Sequence, residues 1–177
     1  MADWDSKFYA SERIIDMPCK SDVSHWVQYR IMAIDKISGK EEPYLLDFMK
    51  WQHLWITDIY PERWADDELR CKRIMSHDGM EIDFRKISNT SVYLFLRDFH
   101  NKNEAMVISG SYQDNETTQT ESRKLKMYRY FFTRLKETLD FRLIEIQGAN
   151  AFFIVCPEST AFDDLFIEEY SNFKKRN

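Results

Sequence analysis

Glycine and proline are scarce in this chain, four of each in 177 residues. That scarcity argues against a turn-rich sandwich or barrel, whose corners draw on both. Cysteine is scarce too. Cys19, Cys71 and Cys156 are odd in number and show no paired spacing, which fits a reducing compartment better than a disulfide framework or a zinc cluster. No apolar run approaches the roughly 20 residues that span a bilayer, and the first residues hold no apolar core of the kind a signal peptide needs. There is no Gly-rich phosphate loop, no Gly-x-Ser-x-Gly elbow and no Cys-x-x-Cys pair, so nucleophilic catalysis by Ser or Cys has no positive support. An excess of positive charge is missing as well. The net charge of −5 does not favour general attraction to nucleic acid, although a local basic patch is compatible with it.

What is abundant is apolar and aromatic surface. Hydrophobic residues make up 44% and aromatics 15% of the chain, enough for one compact domain with a sizeable core and too much for general disorder. We read residues 1–177 as a single domain without repeats or linkers. A short helix is expected around Ser6–Arg13. Val23, Trp26, Val27, Ile31, Ile34 and Ile37 recur at helical spacing, with Ser21 as N-cap and Gly39 as C-terminal stop. The rival for this stretch is a strand over Val27–Ala33, where Val27, Tyr29, Ile31 and Ala33 alternate. Tyr44, Phe48, Trp51 and Trp55 predict a buried helix face within Tyr44–Ile59, with a base-stacking platform as the sharper alternative. A charged helical segment follows over Glu62–Met75, then a His77–Gly79 turn, a strand over Met80–Ile87 and a helix carrying Val92, Phe95, Leu96 and Phe99. Ala105–Tyr112 reads as a strand. An amphipathic helix runs from Thr120 to Leu139, and Phe141–Ile146 and Ala151–Cys156 form a hairpin about Gly148–Asn150. A last helix covers Thr160–Phe173. The expected class is α/β or α+β, a mixed sheet of about five strands flanked by helices.

Four histidines, His25, His53, His77 and His100, are singly unremarkable, since an isolated imidazole is more often packed or solvated than a ligand. Taken as a set, His25, Asp47, Asp78 and Glu81 contain what a divalent-metal nuclease needs: hard oxygens and an imidazole around ions that generate hydroxide and neutralise charge on a phosphate. Periodicity does not bring them together. The Arg- and Lys-rich face of the 123–136 helix suits RNA or an acidic partner, and more simply a solvated face with charge pairs.

One succession carries a resemblance. An acid-bearing strand and turn lead into Val92–Lys102, with its Asn101-Lys102 end. A short strand, an acidic loop and a helix opening on Glu121-Ser122-Arg123 follow. Over roughly Ser21–Leu139 this resembles the N-terminal domain of PA, the acidic polymerase subunit of orthomyxoviruses, and its divergence points to a thogotovirus-like relative. The resemblance implies a cap-snatching endonuclease fold of the PD-(D/E)XK type binding Mn²⁺ or Mg²⁺. It implies the other polymerase subunits of a heterotrimer and viral or capped host RNA as partners, no membrane, and the host nucleus and cytoplasm as location. Carried over residue by residue, the ligand set falls on His25, Asp47 and Glu81. The middle acid has no clean match, the nearby choices being Asp66, Asp67 and Asp78. The family's lysine position falls on Phe99, beside Asp98 and His100, with Lys86 and Lys102 as displaced substitutes. The implied function is therefore an endonuclease-like polymerase domain with a degenerate, weak or inactive metal site. An active Mn/Mg-dependent RNA endonuclease using a displaced lysine is one alternative. A non-enzymatic interaction domain unrelated to a polymerase is the other.

Overall fold

The computed structural model describes residues 4–67, 80–99, 103–110, 122–146, 149–161 and 163–176. After a one-turn helix α1 (Trp4–Lys7), four strands follow in succession: β1 (Ser11–Pro18), β2 (His25–Ile34), β3 (Glu41–Trp51) and β4 (Leu54–Pro61). A 3₁₀ turn at Glu62–Trp64 ends this meander. Then come α2 (Phe84–Asp98), β5 (Ala105–Ser109), α3 (Arg123–Leu135), the hairpin β6 (Arg142–Ile146) and β7 (Ala151–Val155), and α4 (Asp163–Arg176). Among the described residues the strands form one seven-stranded sheet in the order β1-β2-β3-β4-β5-β7-β6. Every pair is antiparallel except β4–β5, whose crossover carries α2. The general α+β class is as expected, with seven strands rather than about five.

Strand alternation divides the core between the two faces of the sheet. On one face Val27, Tyr29, Ile31, Leu46, Phe48, Met106, Ile108, Phe152 and Ile154 pack against Ile87, Val92, Leu94 and Phe95 of α2 and Leu125, Tyr128, Phe132 and Leu135 of α3. On the other, Trp51, Leu54, Ala105, Val107, Phe153 and Val155 pack against Phe166 and Tyr170 of α4. No helix among the described residues is long and apolar enough to cross a membrane.

Several expectations are corrected here. His25 and Val27–Ile34 lie in strand β2, so the alternation of Val27, Tyr29, Ile31 and Ala33 prevails over the helical spacing. Gly39 is a hairpin residue at φ 70°, not a helix stop, and its N–H closes the turn onto the Asp35 carbonyl at 2.8 Å. Tyr44–Ile59 is two strands joined at Gln52, whose φ is 54°. Tyr44 and Phe48, four residues apart, satisfy both the helical and the strand period, and burial on both faces erased the alternation that would have separated them. The stretch around Ser6–Arg13 splits into α1 and the start of β1. The expected strand at Met80–Ile87 shrinks to a bridge between Ile82 and Asp35, because Asp83 caps α2 by accepting from Lys86 N at 3.1 Å. Helix α3, capped by Ser122, the β6–β7 hairpin and α4 stand where the pattern placed them. Most of the Glu62–Met75 segment and the His77–Gly79 turn lie outside the described residues.

Candidate functional site: a cleft over one end of the sheet

Cross-strand register puts His25 opposite Lys50 and Lys50 opposite Trp55, so β2, β3 and β4 present these side chains in a row on the α2 face of the sheet. The edge strand β1 adds Arg13 and Asp16. Helix α2 ends above the row, with Asp98 as its last residue and Phe99 as its C-cap. Together with Val27 they line an open cleft of about 220 Å³. Its apolar floor is Val27, Trp55 and Phe99, the two rings 4.2 Å apart between centroids, with Phe48 and Phe95 packed behind Phe99.

The polar wall is a chain of charge-assisted bonds. His25 Nε2 lies 2.7 Å from Asp16 Oδ1, within hydrogen-bonding distance. Arg13 bridges two acids, 2.8 Å from Asp16 and 3.1 Å from Asp98, and its Nε donates to Tyr29 Oη at 3.0 Å. Asp98 also accepts from the Tyr29 hydroxyl and from Arg97 at 2.5 and 2.6 Å. A carboxylate at a helix C-terminus opposes the helix dipole, and these donors offset that. Burial pushes the Asp98 carboxyl up, but bonds from Arg97, Tyr29 and Arg13 outweigh it and hold it at about 2. Burial, then the Asp98 charge, push the Tyr29 hydroxyl up to about 12. The His25 bond, against burial and with help from Arg13, holds Asp16 below the usual carboxylate range. On the far wall Lys50 pairs with Glu104, which accepts from Trp55 Nε1 at 2.6 Å, and the Lys50 ammonium sits 5.4 Å from the Trp55 ring centroid. Three cations (Arg13, Arg97, Lys50) meet three anions (Asp16, Asp98, Glu104). The wall is self-neutralised apart from His25.

The resemblance's ligand set is dispersed. Asp47 faces Gln28 across β2–β3, three residues along β2 from His25, so the two side chains project from opposite faces of the sheet. Asp47 is 3% exposed and already accepts from Trp26 Nε1 at 2.9 Å, Gln28 Nε2 at 2.7 Å and Tyr60 Oη at 2.6 Å. It pins three strands together. Glu81 lies beyond the opposite end of β2, where its carbonyl accepts from Lys36 N and its N–H donates to Asp35 at 2.7 Å. Ten strand residues at about 3.3 Å each put it roughly 30 Å from His25. Its side chain is 62% exposed, 3.8 Å from Lys36 Nζ. Asp66, exposed, and Asp67 follow the Glu62–Trp64 turn, beyond the end of β4 remote from Trp55.

The displaced lysines fare similarly. Lys86, in the first turn of α2 and 4.5 Å from the Tyr9 ring centroid, is thirteen residues from Phe99, about 20 Å along the helix. Asp78 and Lys102 lie outside the described residues. Among the described residues no three His, Cys, Asp or Glu side chains converge as a metal-binding group. What the structure does bring together from the sequence reading is His25 and Phe99, in the wall and the floor of one cleft. Arg13, Asp16, Tyr29, Lys50 and Glu104 were not singled out. Their signal lies in tertiary contacts between residues 9 to 85 apart along the chain, strand to strand and strand to helix, and a single sequence does not display it.

Comparison with protein-family models, with curated proteins and with solved structures returns no match.

Proposed function

We propose that this chain is a non-enzymatic interaction domain and that the His25–Phe99 cleft seats a group from a protein partner. One observation carries the reading: His25, Asp47 and Glu81 are held on different faces and ends of the sheet, each with its own protein partners, while the cleft combines an aromatic floor with a neutral hydrogen-bonding wall. A cavity of about 220 Å³ falls below the usual size for a drug-like ligand. It suits one inserted side chain. A net charge of −5 and a wall without excess positive charge favour a protein over a nucleic-acid partner. Within the resemblance to the orthomyxovirus subunit, this is the degenerate-site form, and the partners would be the other polymerase subunits.

The test is an NMR titration with single-ring side-chain mimics (phenol, imidazole, indole), paired with incubation of the protein with single-stranded RNA and Mn²⁺. Saturable shifts confined to His25, Trp55 and their neighbours, with intact RNA, support the reading. RNA cleavage that disappears in both His25→Ala and Glu81→Ala overturns it in favour of a live nuclease.

A further inference from the structure

Among the described residues, helix α4 covers only part of the sheet face opposite the cleft. Strand register aligns Met17 with Trp26, Trp26 with Met49 and Met49 with Ile56, so one row of apolar side chains crosses β1, β2, β3 and β4 on that face. Ile56 borders the α4 core, but Met17, Trp26 and Met49 belong to neither apolar core of the described residues. Met17 is 47% exposed, and Trp26, Met49 and Ile56 are half-buried. The Trp26 indole donates to Asp47 at 2.9 Å, which holds the ring in one orientation. Helix α4 itself crosses the strands. Asp163 at its start meets Arg142 of β6 at 3.3 Å, Phe166 and Tyr170 pack on Phe153 of β7, and Phe173 packs on Trp51 of β3 with ring centroids 5.8 Å apart. Trp51 is two residues from Met49 on the same strand face. The row therefore prolongs the track of α4 towards the β1 edge. Lys174, Lys175 and Arg176 follow Phe173 at this junction, exposed and without an ion pair among the described residues.

From this apolar row ending beside three unpaired cations, we propose that the row docks an amphipathic helix of a partner protein, acidic at the end that meets Lys174, Lys175 and Arg176. Four strands about 4.8 Å apart span roughly 14 Å, the length of about ten helical residues at about 1.5 Å each. Apolar side chains at i, i+3, i+4 and i+7 of the partner would lie along Met17, Trp26, Met49 and Ile56. The two thioethers adapt their shape to such a stripe, and the fixed Trp26 ring loses little freedom on contact. This surface lies on the opposite side of the sheet from the cleft and does not depend on it.

Fluorescence-anisotropy titration of a labelled helical peptide with the full chain tests the proposal. The peptide carries leucine at i, i+3, i+4 and i+7 and glutamates clustered at one end. The expected result is saturable binding. A scrambled peptide of the same composition, and one with lysine in place of glutamate, should bind at least ten-fold more weakly. Met17→Glu, at an exposed edge position, should weaken the acidic peptide at least ten-fold, and so should Lys174→Glu combined with Lys175→Glu. No saturable binding overturns the proposal, as does equal binding by the scrambled or lysine peptide, or an unchanged affinity in the charge-reversed variant. That last readout stands even if Met17→Glu does not fold. Dimerisation in sedimentation velocity that the charge reversal abolishes would overturn it in favour of a second copy of this chain. Tighter binding to anionic phospholipid vesicles than to the peptide would overturn it in favour of a membrane surface.

Discussion

Replacing Asp98 by asparagine removes the charge that Arg97, Tyr29 and Arg13 converge on while keeping a side chain of the same shape. The native carboxyl titrates at about 2 instead of its ordinary 3.8. At about 1.36 kcal/mol per unit the full difference is roughly 2.5 kcal/mol. The Arg97 and Arg13 side chains are 45% and 42% exposed, so solvent screens the pairs and about 1–2 kcal/mol is the better figure. The pKa is depressed on folding. The contribution is therefore complete above the unfolded value near 4 and is lost as pH falls from about 4 to about 2. At pH 7 Asp98→Asn should lower ΔG of unfolding by about 1–2 kcal/mol, a fall of roughly 2–8 °C in Tm for a chain of this length. Urea titrations at pH 7, 5, 4 and 3 follow both proteins. The gap between them should hold from pH 7 to 5 and then narrow. A gap that stays constant down to pH 3, or an absent gap at pH 7, would refute the assignment of Asp98 as the charged centre of the cleft wall.

Other outcomes follow from neighbouring geometry. Ultraviolet titration should show one tyrosine ionising near 12, and Asp98→Asn should lower that value while the burial contribution remains. Tyr29's raised pKa gives stability that is full below about 10 and lost as pH climbs through 12. Phe99→Lys, which writes the family's lysine back into the chain, should destabilise by about 3–5 kcal/mol in urea titration without conferring RNA cleavage, because the 8% exposed ring packs against Phe48, Trp55 and Phe95. Asp47→Ala should cost about 3 kcal/mol, read by the same titration, since it strands two buried donors, on Gln28 and Tyr60, and the part-buried indole N–H of Trp26. Gly110→Ala should also lower Tm sharply. A Cβ there would meet Ser122 Oγ at 2.2 Å and Asn150 Nδ2 at 2.9 Å, breaking the clasp in which Asn150 accepts from Ser122 and donates to the Gly110 carbonyl.

The legible parts of the sequence were those governed by local chemistry. Ser122 announces the start of α3 because its side chain caps Leu125 N three residues on. The Gly148–Asn150 region announces the β6–β7 hairpin, and Asn150 does adopt a left-handed φ of 50°. The meander was harder to read. β3 and β4 are buried on both faces, so their apolar residues run together and imitate a helix through the spacing of Tyr44 and Phe48. The site was less legible still. His25 was a fair candidate as a residue, but its partner is Asp16 on the next strand, and Asp47, nominated with it, points through the sheet to the other side. Residue type marks which side chains can do chemistry. Strand parity decides which of them meet, and parity was lost once the segments were read as helical.

The central claim is that His25 and Asp47 belong to separate environments and share no ion. Calorimetric titration of the full chain with Mn²⁺ tests it most directly, with His25→Ala and Asp47→Asn run beside the wild type. The account predicts no saturable heat in any of the three up to millimolar metal. A stoichiometric site in the wild type that vanishes in both variants would contradict it.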